Sequence, residues 1–430
     1  MVERITVRGT PTRTERQAAP AGVDKTTSGV SHDPGLAQAS QLKRLAQTRP
    51  SFNVEGRFPS AHWAWTERLH DPHPELIQRD FLEVQKQPDA DNVRAFGTET
   101  PSSSDVLLHY AGDPPAGVPV HPRPVLLVHG AAHDSNYFKD GHDGKVGGGL
   151  ADHLRQQGFK VYAVTFAHNQ DDNFFWAQQI NNAKTRIKTL EKVDDIDMVA
   201  HSKGGQAAQM VVSDFRQPWM TAYPQDVHRV VFVAAPLGGI DYSFRHPAVS
   251  LGMACMPDFT FNAPTSWDRT YYWGLPKSTT AMSFGAGIDG PGPDYFPGQR
   301  QILGRWDESY PLPRFETDWK TTYYGGQGVV SHGEGIEHYI DQGGDTVEKL
   351  QEKGIQPGVE VAVLAGDRPN LPSFYNEETG PSDGLLFTKS ATALPPGANL
   401  LETRVLPLNH MDLVRKPAGM DAIADLLSRP

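Results

Sequence analysis

Val199-Ala200-His201-Ser202-Lys203-Gly204-Gly205-Gln206 is the stretch on which the reading of this chain turns. An apolar run leads into it and a small-residue, helix-forming segment leads out, the pattern of a strand that turns sharply into a helix. At such a turn the apical residue, here Ser202, takes a strained backbone conformation and its hydroxyl stands clear of the sheet. Close neighbours have to be small. Ala200 and Gly204 lie two residues to either side of Ser202, where the common pattern has glycine at both places, and Gly205 lets the helix begin close to the strand. The free N–H groups at the helix start, with the positive end of its dipole, then face whatever negative charge forms beside Ser202.

Working outward, short β-branched or otherwise apolar runs recur at 125–128, 160–166, 196–200, 229–235 and 359–365. Runs apolar on both faces imply strands covered from both sides. Helical patterns separate them at 149–157, at 173–192, where Phe174, Ala177, Ile180, Ala183, Ile187 and Leu190 share one face, and at 206–215. A last helix is expected at 420–427. Strands alternating with helices predict a doubly wound, mostly parallel α/β sheet with right-handed crossovers. The sheet domain is expected over 105–430.

Residues 1–50 have the polar composition of a tail that cannot bury enough surface to fold alone. Residues 51–104 bring Phe58, Trp63, Trp65 and Phe81, with Leu76, Ile77, Phe81 and Leu82 at helical spacing, and read as an N-terminal extension packed on the main domain. The strand–helix alternation breaks at 237–354, which is rich in Gly and Pro and holds four of the eight tryptophans: Trp267, Trp273, Trp306 and Trp319. A structureless loop of that length inside a compact domain is implausible, so the insertion is expected to have structure of its own and to cover something, as a cap or lid.

Directly after the run 125–128 come His129-Gly130-Ala131-Ala132. A tetrahedral intermediate needs two backbone N–H donors near its oxygen; Ala131 and Lys203, the latter through its backbone and not its ammonium, are the candidates. A serine of ordinary acidity needs a base, and the base needs an orienting acid. His410, in Leu406-Pro407-Leu408-Asn409-His410-Met411-Asp412-Leu413, lies between an apolar run and the last helix and is assigned as the base. For the acid, Asp383 in Pro381-Ser382-Asp383-Gly384 is preferred to Asp367, which stands at a strand end beside Arg368. His129 and His201 read as framing residues.

Composition narrows the alternatives. A hydrophobic content of 38% supports a real core, while a net charge of −11 argues against nucleic acid as a partner, since phosphate contacts need clustered Lys and Arg. The single cysteine, Cys255, excludes an intramolecular disulfide and reads as apolar packing beside Met253 and Met256. No window is apolar enough for a transmembrane segment, and no signal peptide is visible, so the expected location is cytoplasmic or reached without a cleaved N-terminal signal. His332-Gly333-Glu334-Gly335-Ile336-Glu337-His338 fits neither common zinc-protease spacing, and Gly147-Gly148-Gly149 lacks a nucleotide-binding pattern, so no metal and no cofactor are expected.

The motifs His129-Gly130, Ala200-His201-Ser202-Lys203-Gly204-Gly205, Ser382-Asp383-Gly384 and Asn409-His410-Met411-Asp412-Leu413 resemble those of bacterial lipases and esterases of the α/β-hydrolase superfamily, especially those with alanine at the elbow's first position. The likeness spans about 105–430. It implies a Ser202–Asp383–His410 triad and carboxylic-ester hydrolysis through an acyl-enzyme, with an ester or lipid substrate and transient contact with a lipid interface. A polyester depolymerase or acyltransferase would use the same triad, and a non-catalytic binding or effector protein could retain the fold.

Overall fold

The computed structural model describes residues 52–141, 147–246, 294–313, 318–329, 331–372 and 375–429, together with the backbone of 269–272, 275–278, 286–287 and 290–291. The tail 1–50, Cys255, Trp267 and Trp273 lie outside the described residues.

Nine strands form the main sheet: β1 (Asn53–Phe58), β2 (Trp65–His70), β3 (Asp105–Tyr110), β4 (Val125–Val128), β5 (Val161–Phe166), β6 (Ile196–His201), β7 (Val227–Val233), β8 (Glu360–Gly366) and β9 (Asn399–Leu406). Their spatial order is β1-β2-β3-β5-β4-β6-β7-β8-β9. From β5 to β9 all neighbours are parallel. At the other edge, β1, β2 and β3 are joined to one another and to β5 antiparallel. The exchange of β4 and β5, the antiparallel β3 and the helix that follows β6 together make this an α/β-hydrolase fold, with the β1–β2 hairpin added at its edge.

Helices α1 (Leu150–Gln156), α2 (Asn173–Glu191), α3 (Lys203–Val212), α4 (Thr346–Lys353) and α5 (Pro417–Ser428) cover the sheet. Strand β4 shows why its sequence is apolar throughout. Leu126 and Val128 belong to the core shared with α2 and α3, Val125 and Leu127 to the core shared with α1 and α5, and all four are fully buried. Asp172 caps α2 by accepting from the Phe174 amide at 2.8 Å, and Lys192 ends it in a left-handed conformation. No helix among the described residues is long and apolar enough to cross a membrane.

The helical spacing of Leu76, Ile77, Phe81 and Leu82 does not give a helix. Residues 71–82 form a turn and irregular backbone, followed only by the short 3-10 turn Glu83–Gln85. Tertiary contacts override the local pattern: Arg79 Nε donates to Asp171 Oδ1 at 2.8 Å, the Phe81 ring packs 4.5 Å from His168, and the Leu76 carbonyl accepts from Ser104 Oγ at 2.8 Å. The β1–β2 hairpin of segment 51–104 continues the main sheet through β3. Buried Glu67 of β2 is clasped by Arg57 at 2.8 Å and by Arg186 of α2 at 2.8 Å, which hold its carboxyl below the usual carboxylate range against the cost of burial.

The described parts of the insertion have their own structure. Helices Pro297–Arg300, Trp319–Tyr324 and Ile336–Gln342 accompany a small sheet of Gly326–Gln327, Ser331–Gly333, Arg269–Tyr272 and Leu275–Ser278. Phe244, Leu303, Leu312, Tyr323, Ile336 and Tyr339 form a separate small core there. Helix α4, although inside 237–354, sends Leu350 into the main core and leads into β8.

Candidate functional site

Ser202 stands between β6 and α3 with φ 55° and ψ −132°, a conformation that a residue with a Cβ adopts only at a cost. Its amide donates to the Val233 carbonyl at 3.0 Å and its carbonyl accepts from the Gly205 amide at 2.8 Å, so the turn is pinned on both sides. Its hydroxyl does not cap α3. The space it occupies depends on glycine. A Cβ on Gly130 would sit 2.7 Å from Ser202 Cβ and 3.2 Å from Ser202 Oγ, and one on Gly204 would run into the His129 carbonyl.

Strand β4 lies parallel beside β6, with Val128 paired to Ala200, which brings 129–132 alongside the serine. His129 is fully buried, and burial drops its pKa to about 3, so it is neutral at physiological pH. Its Nδ1 donates to the Gly130 carbonyl at 2.7 Å, while Nε2 accepts from the Phe166 amide at 3.3 Å. The carbonyl and N–H of one peptide unit point in opposite directions, so tying down the Gly130 carbonyl turns the Ala131 N–H the other way. The Lys203 N–H is the first of α3. Neither amide has a partner among the described residues, and both residues line the same cavity as Ser202. The Lys203 ammonium is engaged elsewhere. Nζ donates to the Asp171 carbonyl at 2.8 Å and lies 3.2 Å from the centre of the Trp176 ring, while burial pushes it well below the usual lysine range, against the pull of Asp171 and Asp172.

His410 follows β9. Its Nδ1 meets Asp383 Oδ2 at 2.8 Å, and its amide donates to the Asp383 carbonyl at 2.9 Å. Asp383 is 1% exposed, and its other oxygen accepts from the amides of Leu385 (3.0 Å) and Leu386 (2.8 Å). Asp367 is exposed at the end of β8, and its amide bonds the Leu406 carbonyl at 3.2 Å. The two acid candidates therefore differ plainly in placement: Asp383 is on His410 and Asp367 is not.

Asn409, His201 and, from behind, Arg245 and Glu377 hold this pair. Asn409 Oδ1 accepts from the amides of Met411 (3.1 Å) and Asp412 (2.9 Å), and its Nδ2 donates to Asn370 Oδ1 at 3.0 Å, fixing the turn on which His410 rides. His201 Nε2 donates to the His410 carbonyl at 3.0 Å; burial first, then His410, push its pKa well below the usual histidine range. The loop bearing Asp383 is clamped from behind. Fully buried Arg245 bonds both oxygens of Asp241, at 2.9 and 3.2 Å, and approaches Glu377 at 3.5 Å. Glu377 also receives His246 Nε2 at 2.8 Å, and its carbonyl accepts from Ser382 Oγ. Three charged or titratable residues within six, Asp241, Arg245 and His246, were the signal the sequence offered for this clamp.

Ser202, His410, Ala131, Ile240, Ile302 and Leu303 are among the walls of a cavity of about 180 Å³. Ile302 and Leu303 belong to the insertion, which is fastened to the core where Gln206 Nε2 donates to the Gln301 carbonyl at 2.5 Å and Asn173 Nδ2 to the Gly298 carbonyl at 3.0 Å. A strained serine, an imidazole whose far nitrogen is fixed by a carboxylate, and two unpaired amides are the parts that acyl transfer with general-base assistance employs. Among the described residues, the one trio close enough to share a metal, Glu55, His70 and Asp105, lies on the β1–β3 edge strands and not at this cavity.

No protein-family model matches the chain, and no curated protein matches it in sequence. Similar solved structures include the mature lipase BlEst2 of Bacillus licheniformis, at 14% identity and a TM-score of 0.41, covering 74% of this chain and 100% of that one. A thermostable carboxyl esterase of Bacillus coagulans is similar at 11% identity and a TM-score of 0.38, covering 75% and 91%. A monoacylglycerol lipase of Paleococcus ferrophilus is similar at 14% identity and a TM-score of 0.37, covering 74% and 97%.

Proposed function

We propose that this chain is a serine ester hydrolase that cleaves carboxylic esters of apolar acyl groups through an acyl-enzyme. The observation that carries the reading is the 2.8 Å Asp383–His410 bond at a cavity that the strained Ser202 also lines. In this reading His410 Nε2 takes the Ser202 proton as Oγ attacks the ester carbonyl carbon. Asp383 steadies the resulting imidazolium, and the N–H groups of Ala131 and Lys203 receive the oxyanion. Collapse of the intermediate breaks the C–O bond, and His410 returns the proton to the departing alcohol. Water, activated by the same histidine, then releases the acid and frees Ser202. The insertion 237–354 acts as a cap, with Ile302 and Leu303 as its apolar contribution beside the serine.

Labelling with a fluorophosphonate and a chain-length series of p-nitrophenyl esters test the reading. The label should attach at Ser202, and Ser202→Ala should lower kcat by about 10⁴-fold or more with the fold intact. Retention of a tenth of the wild-type rate would rule out Ser202 as the nucleophile.

A further inference from the structure

The side chain of Lys203 is buried at two separate costs. It is 1% exposed, and it belongs to the first residue of α3, the end at which a helix dipole disfavours a cation. Among the described residues no carboxylate meets its nitrogen: the partners of Nζ are the Asp171 carbonyl at 2.8 Å and the Trp176 ring, whose centre lies 3.2 Å away. Burial works against the charge, whereas the carbonyl, the ring face and the charges of Asp171 and Asp172 all favour the ammonium over the neutral amine. Everything around the nitrogen is fixed. The Trp176 ring stacks on Phe166 at 4.0 Å, and its Nε1 donates to the His168 carbonyl at 3.1 Å. The Asp171 carboxylate is held by Arg79 at 2.8 Å and by Ser103 Oγ. From the insertion, Gly298 closes against the lysine, since a Cβ there would stand 2.4 Å from Lys203 Cε and 2.7 Å from Nζ. An apolar side chain would fill the same space at neither cost, and a local rule broken at the residue after the nucleophile points to chemistry.

What a charge does there follows from its distance. The Lys203 amide is one of the two proposed oxyanion donors, and the side chain leaves from the adjoining Cα. A lysine stem reaches about 6 Å, so Nζ stands within about 11 Å of any oxygen hydrogen-bonded to that amide. At an effective dielectric of about 20, a fixed positive charge at that range favours an anion by about tenfold. Covered as it is, the charge is screened less than that of a surface lysine. Its field reaches the oxyanion turn as well. Burial comes first in lowering the pKa of His129, which holds the Gly130 carbonyl, and the Lys203 charge adds to it.

Building on the hydrolase reading above, we propose that the Lys203 side chain is a positioning residue for the oxyanion: it fixes the amide that receives the negative charge and keeps a cation behind it, without touching the substrate. The test uses the full chain as wild type, Lys203→Met and Lys203→Gln. Methionine keeps the stem and drops the charge; glutamine, neutral and polar, guards against a methionine variant that fails to fold. On p-nitrophenyl butyrate each should lower kcat by about three- to tenfold with KM within about twofold of wild type. Butylboronic acid reads the charge without turnover. Ser202 Oγ bonds to boron, its proton passes to His410, and the tetrahedral boron carries the negative charge. The boronate inhibition constant should rise by the same factor as kcat falls, while that of butyramide, a neutral competitor, stays. The urea midpoint should hold or rise, because a buried charge has been removed. A purely structural role would instead lower the midpoint and weaken boronate and butyramide together. That result, or a boronate constant unchanged in both variants, overturns the proposal. A protein that hydrolyses the ester and binds boronate equally well with and without the lysine keeps the hydrolase reading and loses this one. A wild type whose Ser202 takes neither boronate nor fluorophosphonate loses both.

Discussion

Asp383 divides its two carboxylate oxygens between two tasks: one holds the amides of Leu385 and Leu386, the other meets His410 Nδ1. In Asp383→Asn the amide oxygen can keep the first task, but the NH₂ then faces the Nδ1 proton, donor against donor, and drives the imidazole into the other tautomer. We expect kcat/KM on a soluble ester to fall by about 10³- to 10⁴-fold. The exposed Asp367→Asn should stay within about twofold of wild type, as surface substitutions usually do. The opposite ranking, with both variants folded, would transfer the acid role to Asp367. Gly130 is under a different constraint, that of space. Gly130→Ala places a methyl 2.7 Å from Ser202 Cβ, so the serine or the turn has to shift, and overpacking of this kind costs about 1–3 kcal/mol. Its signature should be a drop of about tenfold or more in kcat, because a displaced Oγ loses its alignment while the cavity beside it stays. Unchanged kcat in Gly130→Ala would mean that the serine does not act from the observed position.

At the scale of elements, Arg229 joins three of them through one side chain. It is fully buried on β7, its Nη1 donates to the carbonyls of Leu426 (2.8 Å), Leu427 (3.0 Å) and Arg429 (2.9 Å), and its other nitrogens pair with Glu360 at the start of β8. The last carbonyls of a helix have no partner within it, so a guanidinium there completes α5 and fixes its end to the sheet. Arg229→Leu leaves those carbonyls orphaned and Glu360 without its cation, and should lower stability by about 3 kcal/mol. Urea denaturation would read this as a lower midpoint at unchanged slope, with kcat at 25 °C held, since Arg229 lies at the opposite ends of the strands from Ser202. A loss below about 0.5 kcal/mol, the scale of an ordinary surface change, would show that α5 docks by its apolar face alone.

For the molecule as a whole, buried histidines set the response to acid. His109 and His129, both fully buried, have pKa values brought down to about 3 by burial, and His168, also buried, to about 4. In the unfolded chain each would titrate near its ordinary value of about 6.5. Above that pH neither state binds the proton and nothing is lost. As the pH falls from about 6.5 toward 4, the unfolded state takes up protons that the folded state refuses, and each histidine removes up to about 1.4 kcal/mol of stability per pH unit. The urea midpoint should therefore fall steadily between pH 6.5 and pH 4.5. In His109→Gln, where the amide can still reach Thr66 and Thr165, the fall should be shallower by about one proton. A midpoint flat across that range would mean that these side chains are protonated inside the fold.

The sequence by itself determined the centre of this protein. Five parallel strands were legible because strands covered on both faces must be apolar at every position, and the serine turn was legible because close approach admits only alanine and glycine around it. Asp383 and His410 could be singled out by their place in chain order after those strands. Local pattern failed where contacts from far along the chain decide the backbone. Residues 71–82 have helical spacing, yet contacts with Asp171 and His168 hold them in irregular backbone. The strands β1, β2 and β9 carry weaker apolar runs because they lie at or next to the sheet edges, where one face or one flank meets water, so only pairing marks them as strands. The bond between Asp383 and His410, the clamp of Arg245 on Glu377 and the setting of the Lys203 ammonium were matters for the tertiary structure alone. Each depends on side chains brought together from distant loops, and no local spacing encodes which loops meet.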